Sequence, residues 1–222
     1  MLHKPRPQTP AGPDGIPPVQ KPLRMERCRI MYRNAKFVHK GDDPSMNDLD
    51  RSAADRIGVS VVTCTNRPRF VGNLIRNFVR QRHAKKELIL VVHHDRIPLS
   101  HYLQRTAGLR DVRIYRMPAC RTLGACLNKA VGMARYDIVA KFDDDDYYAP
   151  DYLTDSLLTL LRSNADVVGK RAHYMYLRGS RTLILRFPNG QYRDTSRLPG
   201  ATLMFRRKGF DQVRFPDRSV GG

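Results

Sequence analysis

Several features that would each mark a class of protein are scarce or missing from this sequence. It has four cysteines (Cys28, Cys64, Cys120 and Cys126), with no CxxC pair and no histidine at zinc-finger spacing. Neither a disulfide framework nor a structural zinc site is expected, and a reducing cytoplasm is the default compartment. No apolar run approaches the roughly 18–20 residues that cross a bilayer. The opening MLHKPRPQTPAGPDGIPP has no apolar stretch of the kind a secretory signal needs, so none is expected. Internal repeats and heptad runs are absent too. Acid is also in short supply, with 21 Asp and Glu against 40 Lys and Arg, a formal charge of +19 over 222 residues. With a mean hydropathy of −0.51, the chain reads as soluble, with room for one well-cored domain and a tail.

The positive charge is unevenly spread. Residues 1–57 carry 11 basic and 7 acidic side chains, so most of the excess lies on the later, foldable part. Such a surface concentrates polyanions, whether nucleic acid, acidic lipid or a phosphorylated small molecule. It equally fits an intracellular protein that meets anionic membrane. Charge alone names no ligand.

Seven of the 15 prolines fall in the first 22 residues, which reads as a disordered, partly polyproline arm. Residues 23–57 are transitional, with a short element at MYRNAKFV and loop at HKGDDPSMNDLD. The expected division is a Pro-rich arm over 1–56 and a folded domain over 57–222. From Ile57 the pattern changes. IGVSVVTCT reads as a buried strand, and Phe70, Leu74 and Phe78 beside Val71, Ile75 and Val79 make an amphipathic helix. ELILVV, DVRIYRM and YDIVAKF read as further strands, with helices near 99–106 and over 121–135. YLTDSLLTLL (152–161) is a core helix, and residues 165–187 read as a hairpin forming a second, mixed part of the sheet. Asn189-Gly190 is expected as a turn. This alternation predicts an α/β domain with a mostly parallel central sheet and helices on both faces. In such sheets the ligand crevice lies beyond the carboxyl ends of the strands, at the topological switch point. Thr63–Arg67, His93–Asp95 and Asp143–Asp146 all fall at such ends.

The run Asp143-Asp144-Asp145-Asp146 is the most informative feature. Adjacent carboxylates repel one another and add nothing to the stability of a strand end. Strand geometry sends Asp143 and Asp145 to one face and Asp144 and Asp146 to the other. Two hard oxygen ligands on one edge suit Mg²⁺ or Mn²⁺, whose remaining ligands are water and substrate phosphates. The plain alternative is a solvated acidic turn capping the next helix. Two chemistries place Asp-x-Asp at a strand end. One is aspartyl-phosphate hydrolysis, with Asp143 as nucleophile, which also expects a second acidic pair downstream that the sequence does not offer. The other is transfer from a nucleotide sugar whose diphosphate the cation holds.

VSVVTCTNRP (59–68), ELILVVHHD (87–95), LGACLNKAVGMARYDIVAKFDDDDYYAPDYL (123–153) and GATLMFRRKGF (200–210) together resemble glycosyltransferase family 2. The resemblance implies a GT-A (nucleotide-diphospho-sugar transferase) fold, a UDP- or other nucleotide-sugar donor, Mn²⁺ or Mg²⁺, and inversion at the anomeric carbon. It implies that Thr63, Thr65, Asn66 and Arg67 meet the nucleoside and that Asp95 holds the base. Asn128 and Lys129 would approach the diphosphate, Asp143 and Asp144 the ribose, and Asp145 the cation, with Asp143 as a second metal ligand. Asp146 either helps or caps the next helix. Tyr147, Tyr148 and Tyr152 either line the sugar pocket or, the better reading, pack beneath that helix.

Family members also carry a base-bearing acidic pair shortly after a segment like FPDRSVGG, where this sequence stops. The expectation is a carboxyl-terminally incomplete domain that binds donor and transfers poorly, with no catalytic residue assigned. The acceptor would be a glycan or a lipid-linked or polymeric acceptor, reached at the inner face of an anionic membrane. Nucleic acid is not expected as a partner. The rival readings are a non-catalytic nucleotide- or polyanion-binding module on a degenerate transferase fold, and the Asp-dependent phosphohydrolase.

Overall fold

A computed structural model describes residues 48–190 and 194–218. The expected arm up to residue 47, with its element at MYRNAKFV, lies outside the described residues. Where loop was expected, a helix, α1 (Asp48–Asp55), precedes the first strand and packs on a later helix through the buried Ala54.

The sheet begins with β1 (Val59–Thr65), followed by a 3₁₀ turn at Pro68–Phe70 and α2 (Val71–Val79). Next come β2 (Lys86–His93), α3 (Ser100–Thr106), β3 (Val112–Met117), α4 (Leu123–Gly132) and β4 (Ile138–Lys141). These four strands are mutually parallel, as their unalternated apolar composition requires of strands covered on both faces. Val59 and Val61 of β1 face α2, α3 and α5 (Tyr152–Arg162) together with Leu88 and Leu90. Val62 faces α4 together with Ile89 and Val91. Beyond β4 the sheet continues through β8 (Met204–Arg206) to β5 (Val167–Val168), giving the order β3-β2-β1-β4-β8-β5 with β8 antiparallel. The order reverses between β1 and β4, which puts the switch point there.

One expectation is corrected. Residues 165–187 do not form a hairpin within the main sheet. Only Val167–Val168 joins it, while β6 (His173–Leu177) and β7 (Thr182–Arg186) make a separate two-stranded sheet. The place beside β4 goes to β8, whose Met204 and Phe205 are buried apolar side chains, whereas the hairpin leaves Tyr174, Tyr176, Leu183 and Leu185 exposed and is flanked by Arg171, Arg178 and Arg181. The turn at Asn189-Gly190 follows β7, with the Gly190 N–H donating to the Phe187 carbonyl at 2.8 Å. Among the described residues no helix is long and apolar enough to cross a membrane.

Candidate active site at the switch point

At the carboxyl end of β1, the Thr65 hydroxyl donates to Asp144 Oδ2 at 2.5 Å. This side-chain bond ties the two strand ends together across the switch point. Arg67 adds a second tie. Its Nη2 bonds Asp144 Oδ1, its Nε reaches Asp144 Oδ2 at 3.3 Å, and its Nη1 reaches Asp145 Oδ2 at 2.9 Å. Asp144 is thereby buried and satisfied. Desolvation works against the charge on Arg67, but its bonds to Asp145 and Asp144 more than offset it, and its pKa is raised. Asp143 is paired with Lys141, itself almost buried on β4. The side chains of Asp143 and Asp145 remain 37% and 43% exposed, so oxygen atoms of both face solvent.

Asp146 reaches solvent at its edge, yet surrounding protein strips part of its hydration. That desolvation, with the charges of Asp143 and Asp145 added, pushes its carboxyl up to about 6. It does not cap α5. Asp151 stands at that position, and its side chain makes no capping bond.

The loop carrying these carboxylates is held by a row of amides spaced i, i+4, i+8 on α2 and the residues just beyond it. Asn73 Nδ2 donates to the carbonyls of Asp144 and Asp146 at 2.9 and 2.8 Å. Asn77 Nδ2 donates to the Asp146 carbonyl at 2.7 Å, and its Oδ1 accepts the Tyr148 N–H at 3.2 Å. Gln81 Nε2 donates to the Ala149 carbonyl at 2.8 Å, and its Oε1 accepts the Leu153 N–H at 3.1 Å. The Tyr148 hydroxyl completes the brace. It accepts the Asp143 N–H at 2.8 Å and donates to the Ala201 carbonyl at 2.6 Å. Tyr148 stacks on Phe142 with centroids 3.8 Å apart, and Tyr152 packs edge-on to both, which makes them core rather than pocket. Tyr147 alone points outward, under the Arg80 guanidinium. Lys141, Asn73, Asn77 and Gln81 were not singled out in the sequence. The four-residue amide spacing is the signal that marks the last three.

The other expected site residues are dispersed. Thr63 is buried, and its Oγ1 makes no hydrogen bond among the described residues. Asn66 is exposed at the turn before Pro68. Asp95 is exposed after β2, and its Oδ1 accepts the Ala119 N–H at 3.1 Å, joining two loops at the carboxyl edge. Asn128 is engaged at both ends of its amide by the backbone of Phe215, at 3.0 and 2.9 Å. Lys129 beside it is exposed on α4. The segment Phe215–Arg218 lies across the first turn of α4 so closely that a Cβ on Gly124 would collide with the Pro216 carbonyl. Cys126 is buried, and burial raises the thiols of Cys64 and Cys126, as small core residues require.

Among the described residues no three His, Cys, Asp or Glu converge to cage a metal. Mg²⁺ and Mn²⁺ need no such cage, since one or two carboxylates, water and substrate phosphates complete their shell. The exposed oxygens of Asp143 and Asp145 are hard donors that fit such an ion.

Solved structures share this architecture. S. aureus TarS (residues 1–349) superposes with a TM-score of 0.60 at 16% identity, over 74% of this chain and 52% of that one. The same TarS fragment in complex with UDP-GlcNAc gives 0.57 at 16%, over 72% and 49%. The mannosyltransferase PcManGT from Pyrobaculum calidifontis, in complex with GDP-Man and Mn²⁺, gives 0.53 at 17%, over 76% and 55%. The chain thus has the GT-A fold and spans about half the length of these structures. A comparison with curated proteins finds no sequence match. The pattern of the glycosyl transferase family 2 model, in contrast, runs through the sequence from residue 60 to residue 218, and the chain belongs to that family.

Proposed function

We propose that this chain is the donor-binding domain of a glycosyltransferase that takes a sugar from a nucleotide-sugar donor, a UDP-sugar in the first instance. The sugar passes, with inversion, to a glycan or to a lipid-linked or polymeric acceptor. The observation that carries this reading is the bridge from Thr65 and Arg67 to Asp144. It neutralises one carboxylate at the switch point and leaves Asp143 and Asp145 with open oxygens beside it. Asn66 and Arg67, backed by Thr65 and Asp144, form the nucleoside side, and Asp95 closes it beyond β2, while the fully buried Thr63 lies beneath and does not reach the nucleoside. Asn128 reaches the diphosphate only if the Phe215 segment yields, and the exposed Lys129 beside it approaches the diphosphate from α4. Asp143 and Asp145 hold Mn²⁺ or Mg²⁺, which when bound neutralises the departing diphosphate. The buried Asp144 keeps Arg67 oriented, and the amide row holds the loop rigid, so that little ordering cost falls on donor binding.

The test is calorimetric titration of UDP and UDP-sugars with Mn²⁺ and with chelator, for the chain and for an Asp143→Asn, Asp145→Asn double variant. Metal-dependent binding that disappears in the variant supports the reading. Folded protein that binds no nucleotide or nucleotide sugar would sink it. Release of phosphate that depends on Asp143 alone would instead favour the hydrolase.

A further inference from the structure

On the α2–α3 side of the Asp-rich loop lies an open cavity of about 570 Å³. Its lining includes Arg69, Arg76, Arg105 and Arg178, with Asp145 as the one carboxylate. That carboxylate is already bonded to Arg67 at 2.9 Å. Two of the arginines converge on a glycine. A Cβ at Gly72 would lie 3.3 Å from Nη1 of Arg76 and 3.5 Å from Nη1 of Arg105. Arg76 projects from α2 and Arg105 from the last turn of α3, so two helices aim like charges at one point. Like charges gathered at one point repel, and a phosphate bound there would accept hydrogen bonds from both guanidiniums. Phe70, beneath the guanidiniums of Arg67 and Arg69 at 4.6 and 4.9 Å, gives the site a flat apolar wall. Arg178, in the turn of the β6–β7 hairpin, also lines the cavity.

We infer that this cavity is the subsite for a phosphate-bearing acceptor. It draws on α2, α3 and the hairpin rather than on the strand ends, and shares with the donor crevice only Asp145. Arg67 stands between the two, bonded to both Asp144 and Asp145. An acceptor phosphate held by Arg76 and Arg105 brings the rest of that molecule beside Asp145 without displacing the donor's contacts. The acceptor assignment rests on the proposed transferase function; the anion site itself does not.

The probe is tripolyphosphate, titrated in chelator into the full chain, an Arg76→Gln, Arg105→Gln variant, and an Arg110→Gln, Lys85→Gln control that loses the same charge elsewhere. The expected result is at least tenfold weaker binding in the first variant and less than twofold in the control, with all three melting alike. UDP–Mn²⁺ affinity should stay within twofold in both. Co-sedimentation with phosphatidylglycerol vesicles assigns the source. A selective loss in the Arg76/Arg105 variant means a lipid headgroup, and no difference means a soluble phosphate-bearing acceptor. Equal losses in variant and control would overturn the site in favour of diffuse charge. Parallel loss of UDP–Mn²⁺ binding would make the cavity part of the donor site and overturn the acceptor assignment. A wild-type chain that binds tripolyphosphate selectively but no nucleotide would refute the transferase reading and leave an anion site.

Discussion

The two ends of the central sheet treat carboxylates in opposite ways. At the amino end a single acid, Glu87, is completely buried. Its oxygens accept from the Ser60 hydroxyl, Arg113 Nη2 and the Arg135 N–H, each at 2.6 Å, and Ser60 in turn accepts the Tyr136 N–H at 3.1 Å. This one carboxylate joins the starts of β1, β2, β3 and the approach to β4, and is fully satisfied. At the carboxyl end four acids crowd one loop. Two cations, Lys141 and Arg67, pair with three of them, and Asp146 is left with a raised pKa. A satisfied buried acid serves architecture. Under the proposed function, the partly exposed, incompletely neutralised acids are the ones that take the cation.

The sharpest break of this comparison is Glu87→Gln. It removes the charge partner of Arg113 and misplaces one hydrogen bond in a dry site, and should cost about 3 kcal/mol of stability by chemical denaturation. Donor affinity of the protein that remains folded should not change. Asp144→Asn comes next, since it weakens charge-assisted bonds to Thr65 and Arg67. Its expected cost is about 2 kcal/mol, with a UDP–Mn²⁺ affinity loss that Glu87→Gln does not share. A stability loss without an affinity loss would make Asp144 architectural, like Glu87.

Two amides refine the contrast further. Asn77 and Asn128 each clasp a backbone segment at both ends of the amide, one the Asp-rich loop and the other Phe215. Replacement of Asn128 by Leu strands the Phe215 N–H and carbonyl, and replacement of Asn77 strands the Tyr148 N–H while Asn73 still serves the Asp146 carbonyl, each at a cost of about 1–3 kcal/mol. Only Asn77→Leu should weaken UDP–Mn²⁺ binding in calorimetry. If Asn128→Leu weakens it equally, Asn128 belongs to the donor site as its family position implies.

The smallest effect belongs to Asp146. Its folded pKa of about 6 lies above the ordinary carboxylate value. The native state therefore binds more protons than the unfolded chain across that interval, and stability falls as pH rises from about 4 to 6. Asp146→Asn should raise Tm at pH 7.5 and leave it unchanged near pH 4. Saturating Mn²⁺ should shrink the difference between the two proteins by supplying positive charge to the loop.

Much of this was legible in the linear order of residues. Unbroken apolar runs such as ELILVV imposed buried parallel strands, because no alternation leaves a face for water. The paired apolar rows of Phe70–Val79 foretold α2, and four aspartates after a strand marked the carboxyl edge of the sheet at its switch point. The amide row lay in plain view, with Asn73, Asn77 and Gln81 at helical spacing, but what those amides hold is a loop some seventy residues away. β8 is too short, at three residues, to show any periodicity, and its place between β4 and β5 depends on the apolar character of Leu203–Phe205 against both.

The sequence by itself determined the alternating elements, the parallel sheet and the Asp-rich edge, since these follow from local patterns of apolar and polar residues. Tertiary structure alone decided which carboxylate is buried against Arg67 and Thr65, which keep open oxygens, and which arginines converge over Gly72. Those outcomes depend on distances between distant segments, and electrostatic energies change steeply with distance and burial. No spacing along the chain encodes them.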